Sequence, residues 1–265
     1  MRCRPSIRVI TRAIPVALPA LVLGLAVTGC SSDDPAGSPG SSTDVTVFAA
    51  SSLTAAFTEI GEAFTADNPD VDVTFNFAAS SELVAQIGQG APADVFASAD
   101  LDTMARLTDA GDTGSEPVVF TTNLAEIIVA SGNPEGIAAV ADLADEDLVV
   151  VQCAPEVPCG AYAARIFENA GVTVTPKSLE ENVKAVVTKV TLGEADAGIV
   201  YATDVIAAGD DAEGVEVPAD LNVVAEYPIA LAAEAPNAEG GEAFIDFVTG
   251  EQGQAILESY GFVAP

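Results

Sequence analysis

Two serine pairs, Ser51-Ser52 and Ser80-Ser81, each stand between a short apolar run and the start of a helical pattern. A helix start leaves backbone N–H groups without intrahelical partners and carries the positive end of the helix dipole. A serine there adds a hydroxyl donor. Two such turns at adjacent strand ends make a cup of neutral donors suited to a tetrahedral oxyanion. Serine is also a favoured N-cap, which is the plainer explanation of either pair taken alone. Tyr201 ends the apolar run Gly198–Tyr201 and adds a third kind of hydroxyl.

The rest of the reactive inventory is thin. There is no histidine, so a serine nucleophile lacks its usual base. A Ser–Lys pair using Lys177, Lys184 or Lys189 is formally available, although these lysines read as solvated helix faces. Forty acidic residues place carboxylate pairs almost anywhere, so such pairs carry no information. Asp94 and Asp100 read as loop-fixing residues that would repel an anion. A ferric-ion site needs clustered tyrosines, often with a histidine, and only Tyr162, Tyr201, Tyr227 and Tyr260 occur. Cys153 and Cys159 flank a short loop. In an exported chain they form a disulfide, worth roughly 2–3 kcal/mol if unstrained. Their spacing is not CxxC, and two thiols without histidine make an incomplete zinc site.

The positioning elements follow a recurring strand–turn–helix pattern. Val45–Ala49 reads as a strand, and Leu53, Phe57, Ile60 and Phe64 follow at helical spacing. Val71, Val73, Phe75 and Phe77 alternate as a strand, then Leu83, Val84 and Ile87 mark a short helix. Asp94–Ala97 is a strand before a helix at about Leu101–Ala110. Later strands are predicted at Leu124–Ala130, Leu148–Gln152, Gly198–Tyr201 and Pro228–Ala233. Helices are predicted near Ala138–Leu143, Ala161–Asn169 and Glu181–Leu192, with a closing pair beginning at Phe244. Phe48, Phe57, Phe64, Phe75, Phe77, Phe96 and Phe247 sit at core-like periodicities. Alternating strands and helices predict an α/β fold with mostly parallel sheets. Two such units joined by long apolar strands predict two lobes and a cleft, with ligands outside the carboxyl ends of the strands.

The first residues read as a targeting segment. Arg2, Arg4, Arg8 and Arg12 precede an apolar stretch, Ile14–Val27, that is short and broken by Pro15 and Pro19. It ends in Val27-Thr28-Gly29-Cys30, a bacterial lipoprotein cleavage box with Cys30 as the lipid-bearing residue. Residues 30–43 then read as a flexible Ser/Gly/Pro/Asp tether. Removing residues 1–29 takes away four of nine basic residues and no acidic one, moving the net charge from −31 to −35. Such a surface excludes nucleic-acid partners and cannot gather an anion by bulk attraction.

Several blocks resemble the periplasmic molybdate-binding proteins, the ModA family, in order along residues 44–265. They are Asp44-Val45-Thr46-Val47-Phe48-Ala49-Ala50-Ser51-Ser52-Leu53-Thr54, Phe77-Ala78-Ala79-Ser80-Ser81-Glu82-Leu83, Gly90-Ala91-Pro92-Ala93-Asp94-Val95-Phe96, Val157-Pro158-Cys159-Gly160, Gly198-Ile199-Val200-Tyr201 and Tyr260-Gly261-Phe262. The resemblance implies a two-lobed type II periplasmic-binding-protein fold, each lobe a mostly parallel sheet flanked by helices. Lobe 1 would comprise residues 44–123 and 226–265, and lobe 2 residues 124–225. It implies a non-enzymatic, monomeric lipoprotein without a cofactor, delivering molybdate, and usually tungstate, to the membrane permease of an ABC importer.

The family's ligand positions fall on the side chains of Ser52, Ser80 and Tyr201 and on the backbone N–H groups of Cys159 and Val183. Ser51 and Ser81 are possible additional contacts. Molybdenum would be held only as molybdate, through oxygen, with no direct metal–ligand bond. Cys159 stands where the family often has alanine, which leaves a backbone contact available. Donors without acceptors disfavour an anion that must itself donate a proton, such as hydrogen phosphate, but they do not separate molybdate from tungstate or sulfate. The alternatives are therefore the same fold binding sulfate or another tetrahedral oxyanion, a serine-dependent hydrolase, or a structural surface lipoprotein.

Overall fold

The computed structural model describes residues 44–265, which fall in one compact unit. The leader at 1–29, the lipidation site Cys30 and the tether at 30–43 lie outside the described residues. Among the described residues no helix is long and apolar enough to cross a membrane.

Nine strands form the sheet framework: β1 (Val45–Ala50), β2 (Val73–Ala78), β3 (Val95–Ala97), β4 (Val118–Ala130), β5 (Val150–Cys153), β6 (Ser178–Glu180), β7 (Ala197–Tyr201), β8 (Ala212–Glu216) and β9 (Val224–Leu231). Their order is β2-β1-β3-β9-β4-β7-β5-β6, with β8 also paired to β4. The fold is α/β as expected, but the pairing is mixed rather than mostly parallel. β1 runs parallel to β2 and β3, and β5 runs parallel to β6 and β7. β9 runs antiparallel to both β3 and β4, and β4 is antiparallel to β7 and β8. The reason is the length of β4. Its first part, Val118–Leu124, pairs with β9, and its second part, Ala125–Ala130, pairs with β7 and β8. A single strand thus serves two parallel groups and enters both antiparallel.

The helices are α1 (Thr54–Asp67), α2 (Ser80–Ile87), α3 (Leu101–Ala110), α4 (Pro158–Ala170), α5 (Val183–Thr191), α6 (Ala202–Ala208), α7 (Ala238–Thr249) and α8 (Glu251–Ser259). α1 buries Phe57, Ile60, Gly61 and Phe64, one helical stripe, against Phe75, Phe120 and Phe244. The seven phenylalanines assigned to packing line no part of the cavity described below. α3 starts at Asp100, whose carboxylate accepts from Thr103 N–H, and stops at left-handed Gly111. The helix expected near Ala138–Leu143 is a short 3₁₀ turn, Val140–Ala144. Two boundaries matter for function. α4 begins at Pro158, not Ala161, and α5 at Val183, not Glu181. Proline suits a first helical position because its missing N–H would be unpaired there anyway. Asn182 caps α5 by accepting from Ala185 N–H at 3.0 Å.

Candidate oxyanion site

Five connections leave the carboxyl ends of strands and enter helices on one side of the sheet framework. β1 leads through a 3₁₀ turn, Ser51–Leu53, into α1, and β2 leads into α2 at Ser80. β5 leads into α4, β6 into α5, and β7 ends at Tyr201 before α6. A small cavity lies between them. It is lined by Ser51, Ser52, Ser80, Cys159, Val183 and Tyr201, with Ala50, Ala78, Ala79, Ala99, Val157 and Pro158 between. All five primary candidates therefore meet there, and Ser51 joins them. Ser81 does not: it sits half-exposed in the first turn of α2 and lines no part of the cavity.

The lining is buried and uncharged. Ser80 is 1% exposed and Tyr201 2%. No lining residue carries an ionisable acid or base other than the Tyr201 phenol. Burial, and then the neighbouring Tyr227 and Tyr162, push that phenol well above its ordinary value, so it remains a proton donor. The Tyr201 hydroxyl has no hydrogen-bond partner among the described residues, although it is fully buried. An orphaned polar group of this kind costs about 1–3 kcal/mol unless something fills its valence. Backbone donors supplement it. Cys159 at the second position of α4 and Val183 at the first have N–H groups that intrahelical bonding cannot reach.

Second-layer contacts hold the donors in place. The Ser52 hydroxyl is 3.0 Å from the Tyr227 hydroxyl, and Ser80 Oγ accepts from Ala99 N–H at 3.0 Å. The Tyr162 hydroxyl donates to Ala99 O at 3.4 Å, and its ring packs edge-on against Tyr201. Cys153 and Cys159 are joined, tying the end of β5 to the first turn of α4. Gly160 lies so close to Ala154 O that any side chain would collide with backbone. Asp94 and Asp100 fix loops as expected: Asp94 accepts from Thr46 and Asn237 N–H groups, and Asp100 caps α3.

Lys177 is exposed, as expected, although it precedes β6 rather than lying on a helix, and it donates to Glu146 O at 2.8 Å. Lys184 and Lys189 are not the solvated faces expected of them. Lys184 pairs with fully buried Asp204 at 2.9 Å, and Lys189 pairs with Glu180 at 2.8 Å. Lys189 also donates to Ser178 Oγ at 3.1 Å. As an ammonium shared with a carboxylate, it offers that serine no lone pair to take up a proton. Sequence reasoning missed Tyr227, Lys184 and Asp204 as supports of the site. No local signal marks Tyr227, which is one residue of an apolar strand. Asp204 had a faint one, since it stands at the third helical position after Tyr201, where a carboxylate can reach back to the helix start.

A larger cavity, of about 410 Å³, lies elsewhere, lined by Leu124, Ala125, Glu126, Ala202, Glu216, Val217, Ala219, Asn222 and Val224. Its walls are apolar and its charges are two carboxylates, so it suits no anion.

The family model described as bacterial extracellular solute-binding protein matches residues 45–263. The molybdate-binding protein ModA of Mycobacterium tuberculosis strain H37Rv is 43% identical over 249 residues, covering 92% of this chain and 95% of its own length. Among solved structures, the periplasmic molybdate-binding protein of Azotobacter vinelandii superposes with a TM-score of 0.72 at 19% identity, covering 83% of this chain and 99% of that one. The sulfate-binding protein SubI of Mycobacterium tuberculosis superposes with a TM-score of 0.70 at 22% identity, covering 83% and 86%. At these identities the two structures establish likeness of fold alone.

Proposed function

This chain belongs to the bacterial extracellular solute-binding protein family, and from that membership we propose that it captures molybdate, and also tungstate, for an ABC importer. The observation that carries this reading is the gathering of Ser52, Ser80, Cys159, Val183 and Tyr201 around one buried, uncharged cavity whose tyrosine hydroxyl is unpaired. The 43% identity to a molybdate-binding protein supports the choice of ligand.

In this reading Ser52, Ser80 and Tyr201 donate through hydroxyls and Cys159 and Val183 through backbone N–H groups. Hydrogen bonds to an ionised acceptor are stronger than neutral ones, and stronger again away from water. Five neutral donors thereby hold a dianion without a counter-charge, and no step makes or breaks a covalent bond. Residues 44–123 and 226–265 form one lobe and residues 124–225 the other. The change of β4's partners between Leu124 and Ala125 supports this boundary. Donors from both lobes then favour closure on the ligand. The protein works as a monomer outside the cytoplasm, anchored by lipid at Cys30, and hands its ligand to the membrane permease.

A thermal-shift series with molybdate, tungstate, sulfate and phosphate tests this. A ligand that binds only the folded state stabilises it by about 4.1 kcal/mol at a thousand times its Kd. Molybdate and tungstate are expected to raise Tm at micromolar concentrations. A larger response to sulfate would reassign the ligand, and no response to any oxyanion at millimolar concentrations would overturn the function.

A further inference from the structure

Helix α4 makes two polar contacts with the opposite wall of the cleft. The Tyr162 hydroxyl donates to Ala99 O at 3.4 Å, and one turn later Arg165 Nη2 lies 3.2 Å from Asp102 Oδ2. A carbonyl oxygen can only accept and a guanidinium can only donate, so both contacts have a fixed direction. Ala99 and Asp102 belong to residues 44–123, Tyr162 and Arg165 to residues 124–225. With the lobes assigned above, both contacts therefore join one lobe to the other. Of the three ion pairs among the described residues, Arg165–Asp102 alone does so, because Lys184–Asp204 and Lys189–Glu180 stay within residues 124–225.

These contacts are placed to act on closure rather than on the anion. Neither Tyr162 nor Arg165 lines the anion cavity. Both line a separate pocket at the lobe boundary, where Arg165 is the one cation and meets the carboxylates of Asp100, Asp102 and Glu226. A chain of net charge −31 brings like charges together when its lobes approach. Arg165 turns that repulsion into attraction at this rim. The Arg165 and Asp102 side chains are 54% and 70% exposed, so their pair is weak and sensitive to salt. Tyr162 is buried, and its bond is shielded from both effects.

The latch is also wired to the site. Cys159, Tyr162 and Arg165 follow at three-residue spacing, so each is a surface neighbour of the next on α4. Cys159 lines the cavity. Ala99, whose carbonyl Tyr162 grips, gives its own N–H to Ser80 Oγ at 3.0 Å. We propose that Tyr162 and Arg165 form a two-point latch that holds the lobes closed from outside the anion cavity and so sets how slowly the ligand leaves. Both are positioning residues. The proposal rests on the oxyanion-binding function and the lobe assignment given above.

The test measures release: the full chain is loaded with radiolabelled molybdate and chased with excess unlabelled molybdate. Tyr162→Phe is expected to speed release about fivefold, the scale of one buried hydrogen bond, with little change in association rate. Arg165→Glu should speed release about threefold at low ionic strength and have no effect in about 1 M salt, where the Debye length is about 3 Å. Adding Asp102→Arg to Arg165→Glu re-forms the pair in reverse and should recover most of the loss. Both positions are exposed, so this charge swap keeps the latch testable if Tyr162→Phe folds poorly. Unchanged release in Tyr162→Phe or in Arg165→Glu, or a swap that releases faster than Arg165→Glu alone, would overturn the latch and leave the function standing. Wild-type protein that binds no oxyanion would overturn both.

Discussion

Lys184 Nζ lies 2.9 Å from Asp204 Oδ1 and ties the first turn of α5 to the first turn of α6. The other oxygen of Asp204 accepts from the Tyr201 backbone N–H at 3.3 Å. One ion pair therefore braces Val183 and Tyr201, the two cavity residues contributed by α5 and β7. Asp204 is 0% exposed whereas the Lys184 side chain is 34% exposed, so the lysine reaches inward from the surface to neutralise a carboxylate that water cannot.

Lys184→Met should leave that carboxylate uncompensated. Burial already raises the Asp204 carboxyl above its usual 3.8, and Lys184 works against the rise. The expected loss is about 2–4 kcal/mol at neutral pH, reduced from the fully buried case by the exposure of the lysine. A carboxyl raised in the folded state contributes stability that is present below its unfolded value and lost as pH rises through its folded value. The deficit of the variant should thus be widest at neutral pH and narrow toward pH 4. Urea denaturation at the two pH values checks this, and an equal deficit at both would refute it.

Tyr201→Phe should have opposite effects on fold and function. Removing a buried hydroxyl that has no partner relieves a desolvation cost, so the ligand-free protein should gain about 1 kcal/mol. Molybdate affinity should fall about tenfold or more, because a proposed donor to the anion is gone. Tm with and without ligand reports both. A variant that is less stable when empty would argue that the hydroxyl is satisfied from within the fold.

Reduction of Cys153–Cys159, or its replacement by two serines, should cost about 2–2.5 kcal/mol from the released loop of six-residue separation. Because Cys159 opens α4 at the cavity, affinity should fall as well. Denaturation and calorimetry on oxidised and reduced protein separate the two effects. Unchanged affinity with lowered stability would confine the disulfide to the fold.

Glu126→Gln should stabilise the protein at neutral pH. Glu126 and Glu216 are directly opposed across β4 and β8, and burial together with Glu216 raises the Glu126 carboxyl above 4.5. Like charges in that register destabilise, by up to about 1 kcal/mol. The raised group contributes stability below 4.5 that is lost as pH rises through its folded value. The advantage of the variant should therefore appear near neutrality and vanish below pH 4.5, as read by Tm across pH.

Much of the site was legible locally. Ser52 and Ser80 announce themselves because a hydroxyl between an apolar strand and a helical stripe can sit only near a helix start. Asp100 and Asn182 follow the same capping logic at α3 and α5. The α4 boundary was misplaced by three residues because the proline and cysteines read as loop, whereas Pro158 is the first residue of the helix. Lys184 and Lys189 were misread because their partners, Asp204 and Glu180, come from other elements. The mixed sheet escaped because nothing within thirteen residues of β4 states that it will change partners midway.

By itself the sequence determined the kind of chemistry available: hydroxyls and helix starts, no histidine, an acidic surface, and alternating strands and helices. These depend on residue type and on neighbours within a turn or two, where the chain's own periodicity acts. Only the tertiary structure decided that Ser52, Ser80, Cys159, Val183 and Tyr201 face one cavity, that Tyr227 stands behind Ser52, and that Lys184 answers Asp204. Those pairings join residues up to 175 positions apart. They are fixed by strand order and register, which no local pattern encodes.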